Sequence, residues 1–146
     1  MTTQLSGVRQ NYWAIAVAAI ACFLFEAGWY TIFMQQWLEG IGRTRQWLES
    51  AAGYNPTVQF GTALVAAAVI AAAISRITQL TGPQTALRGI KVAAMLWVGF
   101  VLTTVATEYV FEVRTLKLLG INAGFWLLAM MLMGAIVGAW KKKAKA

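Results

Sequence analysis

Apolar residues in this chain fall into four long runs that are separated by short polar segments. An α-helix needs about 20 predominantly apolar residues to cross a hydrocarbon core roughly 30 Å thick, and each run meets or approaches that length. The runs therefore predict four transmembrane helices, at about 12–37, 57–75, 90–111 and 118–140. Asn55 and Pro56 mark the start of the second helix, because Asn suits the capping position and Pro suits the first turn.

The segment between the first two runs has a mixed character. Residues 43–52 combine arginine, tryptophan, leucine and glutamate over a short stretch. Such a mixture favours a short helix that lies in the membrane interface, with a plain loop as the alternative.

Composition indicates a membrane protein rather than a soluble one. Of the 146 residues, 60% are hydrophobic and 12% are charged, whereas soluble domains carry about 25% charged residues. The polar remainder is too short for a second domain. We therefore predict an all-α integral membrane protein with a single domain over residues 1–146, folded as an up-down bundle of four transmembrane helices.

Basic residues flank the apolar runs, which argues against a nucleic-acid partner in spite of the formal charge of +7. Cytoplasmic flanks carry the excess of Lys and Arg in membrane proteins. Eight basic residues lie on the side of both termini, namely Arg9, Arg76, Arg88, Lys91, Lys141, Lys142, Lys143 and Lys145. The other side has four, namely Arg43, Arg45, Arg114 and Lys117. We expect a bacterial inner-membrane protein with both termini in the cytoplasm and with membrane lipids as partners.

Aromatic residues cluster in the first run and carry a resemblance. Asn11-Tyr12-Trp13 is followed by Gly28-Trp29-Tyr30 and then by Phe33 and Trp37. Together with the four-span layout, these residues resemble a widespread bacterial family of small integral membrane proteins that is catalogued as a domain of unknown function. The resemblance implies a four-helix inner-membrane protein and carries no catalytic residue or ligand.

Glu26 stands inside the first apolar run and is the most informative residue of the chain. An ionisable side chain in a membrane helix costs about 2.5 to 3.5 kcal/mol on insertion scales and rarely faces lipid, so Glu26 should point into the bundle. It lies roughly 21 Å along the helix from Tyr12, in the half away from the termini. Trp29 and Tyr30 share its face, because they follow at spacings of three and four residues.

The third run supplies a second polar patch at a similar height. Thr104, Thr107 and Glu108 share one helical face, and Asn122 in the fourth run falls at the same level. The other half of each run is built mainly from apolar and small residues. We therefore predict a polar cavity that opens outward above an apolar and tightly packed floor.

The acidic residues allow two interpretations. If Glu26 and Glu108 face each other, one of them is expected to hold a proton at neutral pH, as a proton or cation site requires. In the structural alternative, Glu26 is a protonated or hydrogen-bonded structural residue, with Tyr30 or a threonine as its partner, and Glu108 is an interfacial acid paired with Arg114. The main functional hypothesis is a protein that binds or transports a proton, a small cation or a small molecule at Glu26, as a homo-oligomer because four helices enclose a narrow interior.

Small residues recur four apart in two of the runs, at positions Ala63, Ala67 and Ala71 and at Gly134 and Gly138. Such spacing lets helices approach closely, within one subunit or between subunits. It motivates the alternative function, a membrane assembly subunit that packs against partners and has no substrate of its own.

The absence of histidine and the presence of one cysteine, Cys22, remove the usual ligands of zinc and haem. No nucleophile with an adjacent base and no Gly-rich phosphate loop is visible. We expect no metal, no cofactor and no enzymatic activity. A membrane enzyme that acts on lipids or quinones through two carboxylates is the remaining catalytic alternative.

Overall fold

A computed structural model of the chain describes residues 9–142, so that Lys143 and Lys145 of the basic tail lie outside the described residues. The described part contains seven α-helices and a π-helical segment. They are α1 (Tyr12–Ile32), α2 (Met34–Ile41), α3 (Arg45–Ser50), α4 (Pro56–Leu80), α5 (Ala86–Leu96), the π segment (Trp97–Leu102), α6 (Thr103–Phe111) and α7 (Leu116–Ala139).

Four of these stretches are long and apolar enough to cross a membrane: Tyr12–Ile32, Pro56–Leu80, Ala86–Phe111 and Leu116–Ala139. The prediction of an all-α membrane protein with four spanning helices is thereby confirmed. Large apolar side chains cover the outer surface of the bundle, as a lipid environment requires; Phe111 is 84% exposed and Trp13 is 77% exposed.

Side-chain caps set the starts of the spanning helices. The Asn11 side chain accepts a hydrogen bond from the backbone N–H of Ala14, and the Asn55 side chain accepts one from Val58. Pro56 occupies the first turn of α4, as the sequence predicted. These caps satisfy backbone donors that a helix start would otherwise leave without partners.

Three of the boundaries differ by four residues or more from those expected from hydropathy; the third span begins at Ala86 instead of near residue 90. The first helix ends at Ile32, and Phe33 separates it from α2, where the sequence predicted a continuous run to Trp37. The second spanning helix continues to Leu80 instead of ending near residue 75, because Ser75 and Thr78 are buried against other helices. Hydropathy predicts the end of a helix where polar residues begin, whereas packing against other helices stabilises the helix beyond that point.

Both ends of the described chain lie at the same end of the bundle. The Asn11 Nδ2 atom donates to the Trp140 carbonyl at 3.2 Å, and the Lys142 Nζ atom donates to the Gln10 carbonyl at 3.5 Å. The four spans thus run alternately up and down. We call this end of the bundle the terminal end and the other the loop end.

The closest packing in the bundle joins α5 and α7 through glycines. A Cβ atom on Gly89 would collide with the backbone carbonyl of Gly134, and one on Gly138 would collide with the carbonyl of Thr85. Gly134 and Gly138 therefore serve contact within the subunit, which was one of the two options left by their spacing.

Small and apolar side chains fill the terminal half of the bundle. Ala67 and Ala71 of the alanine stripe are buried there, together with Ala18 of α1 and Ala129 of α7. Ala63, the first member of the stripe, lies nearer the loop end and borders a cavity. The terminal half of the bundle is thus closely packed, whereas the loop half contains a cavity.

Candidate functional site

The loop half of the bundle contains a cavity of about 650 Å³. Side chains from α1, α2, α4, α6 and α7 form its walls, and α3 with the following loop lies over it. Aromatic side chains dominate the walls, namely Phe23, Tyr30, Trp37, Tyr54, Phe60, Tyr109 and Trp126. The polar and charged side chains are Glu26, Arg45, Glu49, Gln59, Glu108 and Asn122.

Four of the residues predicted from the sequence meet in this cavity: Glu26 and Tyr30 of α1, Glu108 of α6 and Asn122 of α7. Glu26 is partly buried, whereas Glu108 is exposed at the edge. Within residues 9–142, no ion pair and no side-chain hydrogen bond involves either acid; Arg114 pairs with Glu112 instead. The roles of these residues in ligand binding stay a prediction.

A chain of hydrogen bonds crosses the cavity wall from α1 to α6. The Tyr30 hydroxyl donates to Asn122 Oδ1 at 2.8 Å, and Asn122 Nδ2 donates to the Tyr109 hydroxyl oxygen at 2.6 Å. Asn122 thereby connects three of the four spanning segments. Because the Tyr30 hydroxyl is used in this way, it is not a partner of Glu26, which was one of the options of the structural alternative.

Replacement of Asn122 by leucine is expected to lower the stability of the bundle and to uncouple the two tyrosines. Interhelical hydrogen bonds in membrane proteins contribute about 0.6 kcal/mol each and up to about 1.7 kcal/mol. A double-mutant cycle of Asn122→Leu with Tyr109→Phe, followed by thermal unfolding in detergent, measures the coupling. Additive effects of the two substitutions would show that the hydrogen bond does not stabilise the fold.

Trp29, Thr104 and Thr107 do not line the cavity. The Trp29 indole N–H donates to the Ile121 carbonyl at 3.2 Å and so braces α1 against α7. Thr107 donates its hydroxyl proton to the Thr103 carbonyl of the preceding turn, and both Thr104 and Thr107 are exposed. In place of the two threonines, α6 presents Tyr109 and Val105, which the sequence analysis missed.

The π segment explains this difference. Its wider turn contains one residue more than an α-helical turn, which rotates everything after it by about 100° around the helix axis. A regular helix that buries Gly89 and Ala93 would bring Phe100, Thr104 and Thr107 to the same face. In the structure these three positions are exposed, and Val101, Val105 and Tyr109 turn inward instead.

A tryptophan holds the π segment in place. The Trp97 indole N–H donates to the Ala123 carbonyl of α7 at 2.9 Å. Since Ala123 directly follows Asn122, the wide turn and the hydrogen-bonded tyrosines are anchored to the same stretch of α7. π-Helical turns are frequent at functional sites. A sequence signal for this wide turn would also have predicted that Tyr109, and not Thr107, faces the cavity.

The short helix α3 covers the cavity at the loop end. The Arg45 Nε atom and the Glu49 Oε1 atom form an ion pair at 2.9 Å, and both residues line the cavity together with Leu48. Among the described residues that line the cavity, Arg45 is the only basic one, whereas three are carboxylates. Because Arg45 is paired with Glu49, Glu26 and Glu108 give the cavity an uncompensated acidic character.

The fold and the cavity define a small multi-pass membrane protein in which four spanning helices enclose a polar, aromatic-lined site at one end. The chain belongs to the DUF1761 family, described as a protein of unknown function, whose model matches residues 13–138. The resemblance that the aromatic residues of the first run indicated is thereby confirmed. No curated protein and no solved structure gives a significant match to the chain.

Proposed function

We propose that the protein binds an amphipathic organic cation in the cavity at the loop end, with Glu26 and Glu108 as its counter-charges. The observation that carries this proposal is the presence, within residues 9–142, of two acids without cationic partners among aromatic walls. Aromatic faces attract cations with about 0.5 to 2 kcal/mol, most strongly where water is excluded. A flat or branched organic cation would use both features at once.

The residues around the cavity suit an organic cation better than a metal ion. Hard metal ions such as Ca²⁺ take six to eight oxygen ligands. Within residues 9–142, no three side chains of His, Cys, Asp or Glu are close enough together to hold a metal ion. Glu26 and Glu108 come from different helices and share the cavity with bulky rings, which favours a ligand that fills volume.

The arrangement of the helices offers an entry path from the membrane. α4 and α6 both border the cavity, yet within the described residues α4 packs on α1, α5 and α7 without extensive contact to α6. A lipophilic cation that is dissolved in the bilayer could pass through this gap to Glu108 at the edge. The closed floor of the terminal half supports binding from the loop end.

We also propose that the loop end faces outward in a bacterial inner membrane and that both termini are cytoplasmic. The excess of Lys and Arg at the terminal end supports this orientation. The cavity is then open toward the periplasm and the outer leaflet. Any transport would require the floor to open, and assembly into an oligomer would supply the missing pathway.

The test of the proposed function is the affinity for tetraphenylphosphonium, a lipophilic organic cation. We expect Glu26→Gln to weaken its binding about tenfold or more, which equals at least about 1.4 kcal/mol. Binding to the purified protein in lipid nanodiscs can be followed by tryptophan fluorescence, since Trp37 and Trp126 line the cavity.

Glu112→Gln provides the matched control. Glu112 follows Glu108 by one helical turn but does not line the cavity. The substitution removes the same charge as Glu108→Gln does. The proposal requires Glu108→Gln to weaken binding while Glu112→Gln leaves it unchanged. Equal affinity in wild type and Glu26→Gln would refute it and would favour a structural role for Glu26.

The assembly-subunit alternative has lost its main motivation. Ala67, Ala71, Gly134 and Gly138 are buried by other helices of the same chain, so these faces are not available to a partner. A binding protein rather than an enzyme remains our proposal, since the lining side chains among the described residues include no His, Cys, Ser or Lys that could act as a nucleophile beside the carboxylates.

A further inference from the structure

We propose that a second cavity, at the terminal end of the bundle, binds the phosphate headgroup of an anionic phospholipid. This cavity of about 400 Å³ lies beside the start of α5. Arg88 and Lys91 line it together with the hydroxyl-bearing Thr81 and Thr85, and no carboxylate of the described residues contributes to its walls. It is separate from the acidic cavity at the loop end, and its charge is of opposite sign.

The guanidinium of Arg88 is held in position by the protein itself. Its Nη1 atom donates to the Thr81 carbonyl, and it packs against Gly82, where a Cβ atom would collide with the guanidinium. Gly82 has a φ of 138°, which side-chain-bearing residues rarely adopt. A guanidinium has five N–H donors, so several remain for phosphate oxygens after the contact with Thr81.

Lys91 adds the second positive charge. It is exposed and lies one helical turn further into the membrane than Arg88. The side-chain oxygen of Thr85 accepts the backbone N–H of Arg88 as the helix cap, which leaves its hydroxyl proton free to donate. Two cations and a hydroxyl donor thus converge on one cavity, which matches the acceptor oxygens of a phosphodiester.

The apolar part of the cavity distinguishes a lipid from free phosphate. Leu87, Lys91 and Met95 follow one another at four-residue spacing along a single face of α5. Leu87 and Met95 are 61% and 60% exposed. The strip continues from the basic entrance toward the middle of the span, where an acyl chain would lie on it.

The surroundings of the cavity favour an anionic lipid. The terminal end also carries Arg9, Arg76, Lys141 and Lys142, and basic residues near the membrane surface attract anionic lipids. General attraction of this kind recruits such lipids, whereas the cavity would select one and retain it. The distinction can be measured, because retention should depend on Arg88 and Lys91 more than on the other basic residues.

The experiment is native mass spectrometry of the full chain released from mixed micelles with phosphatidylglycerol or phosphatidylcholine of the same acyl chains. We expect wild type to retain phosphatidylglycerol. Each of Arg88→Gln and Lys91→Gln should reduce the retained lipid about fivefold, the effect of one basic residue near an anionic surface. Arg76→Gln, a loss of the same charge at the same end but outside the cavity, should retain it as wild type does.

Three outcomes would overturn the proposal. Equal retention of the two lipids would show no selectivity for an anionic headgroup, and equal losses in Arg76→Gln would indicate general attraction alone. Displacement of the lipid by inorganic phosphate would assign the site to the free ion. Lys91 is exposed and forms no ion pair among the described residues, so Lys91→Gln keeps the test valid even if Arg88→Gln fails to fold.

Discussion

Insertion of one alanine directly after Gly99 is expected to turn the second half of the third span by about 100° and to remove Tyr109 from the cavity. Gly99 lies in the middle of the π segment and is exposed, and a Cβ atom placed on it would meet no other atom within 4 Å. The wide turn already contains one residue more than a regular turn, so a further residue rotates everything after it by about 100°. Thr104 and Thr107 should then face the cavity, while Val105 and Tyr109 turn toward lipid.

Cysteine labelling measures this rotation directly. In a Cys22→Ser background, Val105→Cys should react with a charged, water-soluble thiol reagent, because residue 105 lines the cavity. Thr104→Cys should be protected by lipid. Insertion of the alanine after Gly99 should reverse the two reactivities by about an order of magnitude, since thiolate chemistry needs water and lipid excludes it. The same labelling pattern with and without the inserted alanine would show that the residue count through the π segment does not set the face of α6.

Replacement of Gly134 by valine is expected to abolish correct packing of α5 on α7. A side chain there would meet the backbone of Gly89 and the methyl group of Ala93. Overpacking a core usually costs about 1 to 3 kcal/mol, and more when the obstacle cannot move. Because this obstacle is backbone, we expect a loss at or above the upper value. Thermal unfolding in detergent and the yield of monodisperse protein measure it.

Gly120→Val is the matched control, because Gly120 belongs to the same helix and has no atoms nearby that an added side chain would meet. It should retain the wild-type unfolding temperature, or exceed it, since valine is the better helix former. Unfolding of Gly134→Val at the wild-type temperature would contradict the close approach of α5 and α7.

Part of the candidate site was recognisable in the sequence for a simple reason. A polar residue inside an apolar run is conspicuous, and the constant rise of a helix converts its position into a depth. Glu26 and Asn122 were found in this way, and the cavity does bring them to one level. Tyr109 was missed because the prediction assumed a regular helix through the π segment.

The covering helix shows a second limit. The mixed composition of residues 43–52 predicted a short helix, and α3 occupies Arg45–Ser50. Nothing in that composition says what the helix lies against. The contact of Arg45 and Glu49 with a cavity built from α1, α4, α6 and α7 depends on residues far away in the sequence.

The sequence by itself determined the number of spans, their helical nature and which connecting segments share an end of the bundle. These properties depend on hydrophobic length and on backbone hydrogen bonds that each helix satisfies alone. Only the tertiary structure decided which face of each helix points inward, that Gly134 meets Gly89, and that Tyr109 meets Asn122. Rotation about a helix axis leaves hydropathy unchanged. Close packing between helices and one wide turn therefore determined which side chains line the cavity.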